Sequence, residues 1–370
     1  GSSRPQAPDA ISGGHAVSVA NSTEEIRGAA AYVVPNTSRL MRRSTWMEFA
    51  IVFEILLLLM YPHWRAEPLA WMLAGISTPL GGWLVLRRIV LRAYLRSPAP
   101  ADGRLIDARW DSLRFAGWGG DTLTAYRLPS EAPAKGLVLY IHGYGSSLRN
   151  AEARCQHMNE LDLDIVGMNL RGHGGCNLRD EWTLLKLVAD LEALLQQLSL
   201  ELEQLPERVW IYGHSMGGFL ALRLGAHPSG WWKSRLAGVI VESPITSYPL
   251  IIERNTSTMH RYLRFIMPWI RWILRREHER IHPDLPVRYA TAAIPHIGLP
   301  AVPILALQAA EDQRLGRIHF DELSKALAEH QTPYELHVIE GHHHTSEKDT
   351  EARKKLVEQW LRPEQKGVLI

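Results

Sequence analysis

Short apolar-rich blocks recur along the last two thirds of the chain, each stopped by glycine or by a polar cluster. They lie at 137–141, 164–170, 209–212, 238–241, 302–307 and 334–339, and their length and content read as strands. Other stretches follow a helical period. Residues 219–224 are good helix formers directly behind a strand, while Leu263, Ile266, Met267, Ile270, Ile273 and Leu274 fall on one helical face. Strands alternating with helices predict an α/β fold built on a mostly parallel central sheet.

A different pattern occupies residues 46–86. Leu69 to Leu86 carries no formal charge, which is close to the shortest helix that spans a bilayer, although Gly75, Pro79, Gly81 and Gly82 weaken it. The preceding run, 46–61, is apolar except for Glu48 and Glu54, and a short connector joins the two, so 41–98 reads as a hydrophobic helical hairpin. Arg39, Arg42 and Arg43 precede it and Arg87, Arg88, Arg92 and Arg96 follow, with only Arg65 between. By the positive-inside rule both ends face the cytoplasm, which predicts a transmembrane or monotopic anchor, membrane lipids as partners and a downstream domain on the cytoplasmic side. The alternative is a helical extension packed on that domain, because Glu54 facing lipid is costly.

Composition changes this picture little. A chain of 370 residues with 46% hydrophobic content can bury one large domain and carry an appendage. The first 40 residues are rich in Ser, Ala, Pro and Gly without sustained periodicity and read as a flexible segment. A net charge of +2 gives no nucleic-acid footprint, and two cysteines, Cys155 and Cys176, do not make a disulfide framework.

Candidate chemistry gathers at the ends of the strand blocks. Residues 209–212 run into Gly213, His214, Ser215, Met216, Gly217 and Gly218, a G-x-S-x-G element that places a serine on a sharp strand-to-helix turn. The block at 302–307 leads to Asp312, and the block at 334–339 leads to Gly341, His342, His343 and His344. The order serine, acid, histidine is that of one of the convergent nucleophilic triads. Glu242, at the end of 238–241, is the alternative acid. His142 and His173 read as hydrogen-bonded structural groups, and His214, inside the serine turn, need not be catalytic. A metal site in the His run is disfavoured, because adjacent residues converge poorly on one ion and no acidic pair stands nearby.

From about residue 111 to 361 the chain resembles the α/β-hydrolase superfamily, particularly bacterial serine esterases and monoacylglycerol-lipase-like enzymes. The resemblance rests on the strand and His142-Gly143-Tyr144-Gly145 loop, on the Arg171-Gly172-His173-Gly174 turn and on the serine turn. Asn169 stands where family members usually carry Asp. The resemblance implies an oxyanion hole from the backbone N–H groups of Met216 and Tyr144. It also implies that the histidine closing the last strand is His344, with His342 the other candidate. It further implies that the insertion at about 244–300 is a cap within a hydrolase domain of 99–370. There Arg261, Arg264, Arg271, Arg275, Arg276 and Arg280 crowd the polar side of the amphipathic pattern, with Trp269 and Trp272 between. That pattern suits either a membrane surface or a cap packed on the core. The expected function is a membrane-associated serine hydrolase of carboxylic esters, with a small-molecule or lipid ester substrate, a hydrophobic acyl chain and no cofactor or metal. A peptidase, thioesterase or acyltransferase on the same fold is the alternative, and a non-catalytic membrane scaffold the reading from another class. Oligomeric state is left open.

Overall fold

The computed structural model describes residues 52–56, 68–94, 98, 102–176, 178, 182–227, 229–254, 265–279, 291–344 and 351–362. The segment 1–40, read above as flexible, lies outside the described residues, as does most of the apolar run 46–61.

Eight strands form one sheet. In chain order they are β1 (Asp111–Ala116), β2 (Thr122–Leu128), β3 (Gly136–Ile141), β4 (Leu163–Met168), β5 (Val209–His214), β6 (Leu236–Glu242), β7 (Ile304–Glu311) and β8 (Tyr334–His343), arranged β1-β2-β4-β3-β5-β6-β7-β8. β1 and β2 pair antiparallel, β2 joins β4 antiparallel, and β4 through β8 are parallel. β3, β4 and β5 are buried along their whole length, as expected of parallel strands covered on both faces.

The helices are α1 (Pro68–Tyr94), α2 (Asn150–Arg154), α3 (Gln156–Asn159), α4 (Leu184–Glu201), α5 (Met216–Gly225), α6 (Met267–Glu279), α7 (Ile318–His330) and α8 (Glu351–Leu361). Two cores result. One joins the sheet to α4, α5, α6 and α7 through residues such as Leu191, Leu220, Leu274 and Leu323, and the other joins it to α2, α3 and α8 through Ala151, Met158 and Val357. Thr183 caps α4, its side chain accepting from the Lys186 N–H at 3.2 Å. The Arg171 turn is buried, and its guanidinium bonds Asp190, Asp121 and the Trp118 carbonyl, tying the β4 exit to α4 and to the β1–β2 turn. Asn169 accepts from the Leu148 N–H at 2.8 Å, so the amide serves the loop packing at that position.

The expected membrane span is corrected here. Among the described residues no helix is long and apolar enough to cross a membrane. α1 places Arg87, Arg88 and Arg92 in the same helix as the uncharged run, whose Gly, Ser and Thr residues dilute its hydropathy. Only its second half meets the protein, with Val90 buried in the main core and Trp83, Leu86, Leu91 and Tyr94 packed against it, while Trp71, Met72, Ile76 and Leu80 are exposed. The side assignment drawn from the flanking arginines therefore has no span to rest on, and the expected transmembrane anchor and the membrane localisation built on it fall with it. The two apolar runs do meet: helical residues 52–56 lie on α1 where Glu54 Cγ would be 2.7 Å from a Cβ at Gly81.

α6 starts at Met267-Pro268, a position proline tolerates because the first helical N–H groups have no intrahelical acceptor. Met267, Ile270, Ile273 and Leu274 of α6 are buried on the core, while Trp269 and Trp272 are exposed. Trp83 of α1 packs edge-on to Trp269 and Trp272, with ring centroids 5.8 and 5.2 Å away. α1 thus packs against α6.

Candidate active site

The parallel strands deliver their ends to one edge of the sheet, where His214 stands level with Glu242, and Glu311 level with His343. Crevices at the carboxyl ends of such strands are where α/β sheets place ligands. Ser215 follows β5 with φ 54° and ψ −116°, a conformation a serine adopts only when the surroundings enforce it. Enforcement comes from both flanks. The Ser215 N–H donates to the Glu242 carbonyl at 2.9 Å, and the Ser215 carbonyl accepts from Gly218 and Ile245 N–H, each at 3.0 Å. A Cβ at Gly213 would sit 2.1 Å from the Gly217 carbonyl oxygen, and one at Gly217 would sit 2.0 Å from that of Ile141, so the G-x-S-x-G spacing is a steric requirement.

Ser215, His344 and Asp312 are brought together. The Ser215 Oγ lies 2.9 Å from His344 Nε2, and His344 Nδ1 lies 2.8 Å from Asp312 Oδ2. With a carboxylate on Nδ1, that nitrogen carries the hydrogen and Nε2 is the acceptor facing the serine. Asp312 follows β7 directly and also accepts from the Leu315 N–H at 2.8 Å, the Arg314 N–H at 3.1 Å and the Gln308 side chain at 3.3 Å. Burial acts to raise its pKa, but the bond from His344 and the other donors outweigh it and hold the carboxyl below its ordinary range.

The two alternative candidates are brought together elsewhere. Glu242 Oε1 lies 3.1 Å from His342 Nε2, while Oε2 accepts from Arg154 Nε at 3.0 Å and the Tyr212 hydroxyl at 2.7 Å. Arg353 Nη1 stands 3.5 Å from Oε1. Burial would raise the Glu242 carboxyl, yet Arg154, the His342 bond and Arg353 hold it well below the usual value. Glu242 offers the serine a backbone carbonyl, while its carboxylate belongs to this second cluster. His343, between the two buried rings, is exposed.

Met216 is the first residue of α5, so its N–H belongs to the turn that no helical carbonyl engages. The 142–145 loop reaches the same place: a Cβ at Gly143 would meet Ser215 Cβ at 3.1 Å. Tyr144 follows, its exposed ring against His173 and Trp182. His142 takes the Leu170 N–H on Nε2 at 3.0 Å and bonds the Gly143 carbonyl through Nδ1. Burial pushes its basicity down to about 3. His173 bonds the Arg171 carbonyl at 2.9 Å, and His214 Nε2 donates to the His344 carbonyl at 2.8 Å. Three partners of the site were not read from the sequence: Gln308 on the acid, the His214 bond, and the pairing of Glu242 with His342. Their contacts join residues 4 to 130 positions apart and leave no local spacing signal, except that His342 and His344 share a two-residue period.

Residues 132–304 match the family described as Serine aminopeptidase, S33, a range that holds Tyr144, Ser215, Met216 and Glu242 and ends before Asp312 and His344. A Schizosaccharomyces pombe protein named as a monoglyceride lipase is 34% identical over 29% of this chain and 29% of its own length. Protein phosphatase methylesterase 1 of Candida albicans is 30% identical over 37% of this chain and 38% of its own. The chain thus spans well under half the length of these curated relatives. Among solved structures, an esterase of Pyrococcus furiosus superposes with a TM-score of 0.51 at 14% identity, over 72% of this chain and 98% of that one. The strand order, the strained serine turn and these likenesses agree, and the chain has the α/β-hydrolase fold.

Proposed function

We propose that the protein is a serine hydrolase of carboxylic esters, esterase- or lipase-like, whose catalytic unit runs from about residue 99 onward with a cap at about 244–300. The observation that carries this reading is the continuous hydrogen-bond chain from Ser215 through His344 to Asp312 at the carboxyl edge of the sheet. Ser215 Oγ attacks the acyl carbon and passes its proton to His344 Nε2, while Asp312 orients the ring and stabilises the imidazolium. The N–H groups of Met216 and Tyr144 take the developing oxyanion, which is where backbone donors act most strongly. His344 then protonates the departing alcohol, and water releases the acyl group by the same steps in reverse.

Active-site labelling tests the reading. The protein should react with a fluorophosphonate probe and hydrolyse p-nitrophenyl esters, and Ser215→Ala should lose both while keeping its melting temperature. Labelling that persists in Ser215→Ala would place the nucleophile elsewhere. Amide substrates belong in the same panel, because the matched family is named for aminopeptidases. Amide turnover exceeding that of esters would replace esterase by peptidase.

A further inference from the structure

We propose that Glu242 and His342 are a positioning pair that sets the register of the β8 exit and so determines which histidine faces Ser215. The inference rests on the ester-hydrolase reading above. β7 and β8 run in regular register until Ala309 meets Ile339, and the next pairing is Glu311 with His343. Two residues advance on β7 against four on β8, so β8 bulges. Gly341 takes φ 69° within the bulge, a conformation open to glycine. Burial beyond it alternates anew: His342 is buried, His343 exposed and His344 buried. β8 ends at His343 and His344 follows directly, two residues on from His342, so whatever fixes the facing of His342 at the strand's end constrains where His344 leaves it.

Glu242 is what fixes it. Its carboxylate is anchored by Arg154 from α2, Tyr212 from β5 and Arg353 from α8, each on an element outside the bulge. Its bond to His342 Nε2 at 3.1 Å ties the bulged strand to that frame. The same residue's carbonyl holds the Ser215 N–H at 2.9 Å. One residue at the end of β6 thereby references both the nucleophile on β5 and the histidine on β8, two strands away on the other side. A slip of one residue would exchange His343 for His344 at the serine. Errors of about 1 Å in such placement cost on the order of 100-fold in rate.

The test measures kcat and KM separately for p-nitrophenyl acetate in full-length protein. His342→Ala should lower kcat about 10- to 100-fold with KM within about twofold, and should slow fluorophosphonate labelling by the same factor, since labelling needs the activated serine but no deacylation. His342→Gln, whose amide can still donate to Glu242, should recover most of the loss. In a Glu242→Gln background, His342→Ala should cost much less than in the wild type, because the pair acts as a unit. Glu242→Gln leaves two guanidinium groups without their anion and could fail to fold, in which case the His342 pair of variants decides alone. Folded His342→Ala with wild-type kcat, or equal losses in His342→Ala and His342→Gln, would overturn the proposal. If the wild type itself neither hydrolyses esters nor takes the probe, the ester-hydrolase reading has failed instead.

Discussion

At the residue scale the four candidates for acid and base separate into two pairs by contact. His344 touches Ser215 and Asp312, whereas His342 touches Glu242. His344→Ala should therefore lower kcat by several orders of magnitude, to the level of Ser215→Ala, and Asp312→Asn should be comparably severe through loss of ring orientation. Steady-state kinetics on a short ester checks the ranking, and a Glu242→Gln variant slower than Asp312→Asn would move the acid to β6. The serine was legible in the sequence because its constraint is local: two glycines are excluded from having a Cβ by backbone four residues on and by a neighbouring strand. The choice of histidine was not legible from the residues alone. Three adjacent imidazoles are chemically equivalent in sequence, and what distinguishes them is a bulge at Gly341 and partners on other strands.

At the element scale the informative correction is α1. Its uncharged length has the hydropathy signature of a lipid-facing helix only when flanking arginines and tertiary neighbours are ignored. Burial is a property of a face, and one face of α1 meets the main core at Val90 and α6 at Trp83. Trp83→Ala should remove contacts to both α6 tryptophans and cost about 2 kcal/mol, below the full range for a buried tryptophan because Trp83 is only partly covered. Thermal unfolding with a second, polar substitution, Val90→Asp, checks this. If both variants melt like the wild type, α1 is not part of the cooperative unit. The central parallel strands, by contrast, were read correctly because being buried on both faces makes them apolar along their whole length. The antiparallel pair β1 and β2 carries mixed residues on a partly exposed edge, and no block there stood out.

At the scale of the whole molecule, the site is framed by buried histidines held neutral, and that sets its response to acid. Burial pushes His142 and His214 down to about 3 and His319 down to about 4 from 6.5, with Arg154 adding to burial at His214. His319 is fixed in this state by Thr246, whose N–H donates to Nδ1 at 3.1 Å. Below pH 6.5 the unfolded chain binds protons at these rings and the folded chain does not, so stability is complete above that value and falls as pH drops toward 4. Each ring contributes about 1.4 kcal/mol per pH unit, and three together about 4 kcal/mol per unit. A domain stabilised by about 5–15 kcal/mol exhausts that margin within a few units. Asp312 and Glu242, both depressed, add their losses only later, as pH falls through the ordinary carboxylate range. Urea midpoints should be level from pH 8 to 7 and fall steeply from pH 6.5 to 5, and His142→Gln should flatten that slope by about a third. A midpoint unchanged between pH 7 and 5 would mean that these rings are protonated in the folded protein, and the hydrogen-bond assignments around the serine would have to be redrawn.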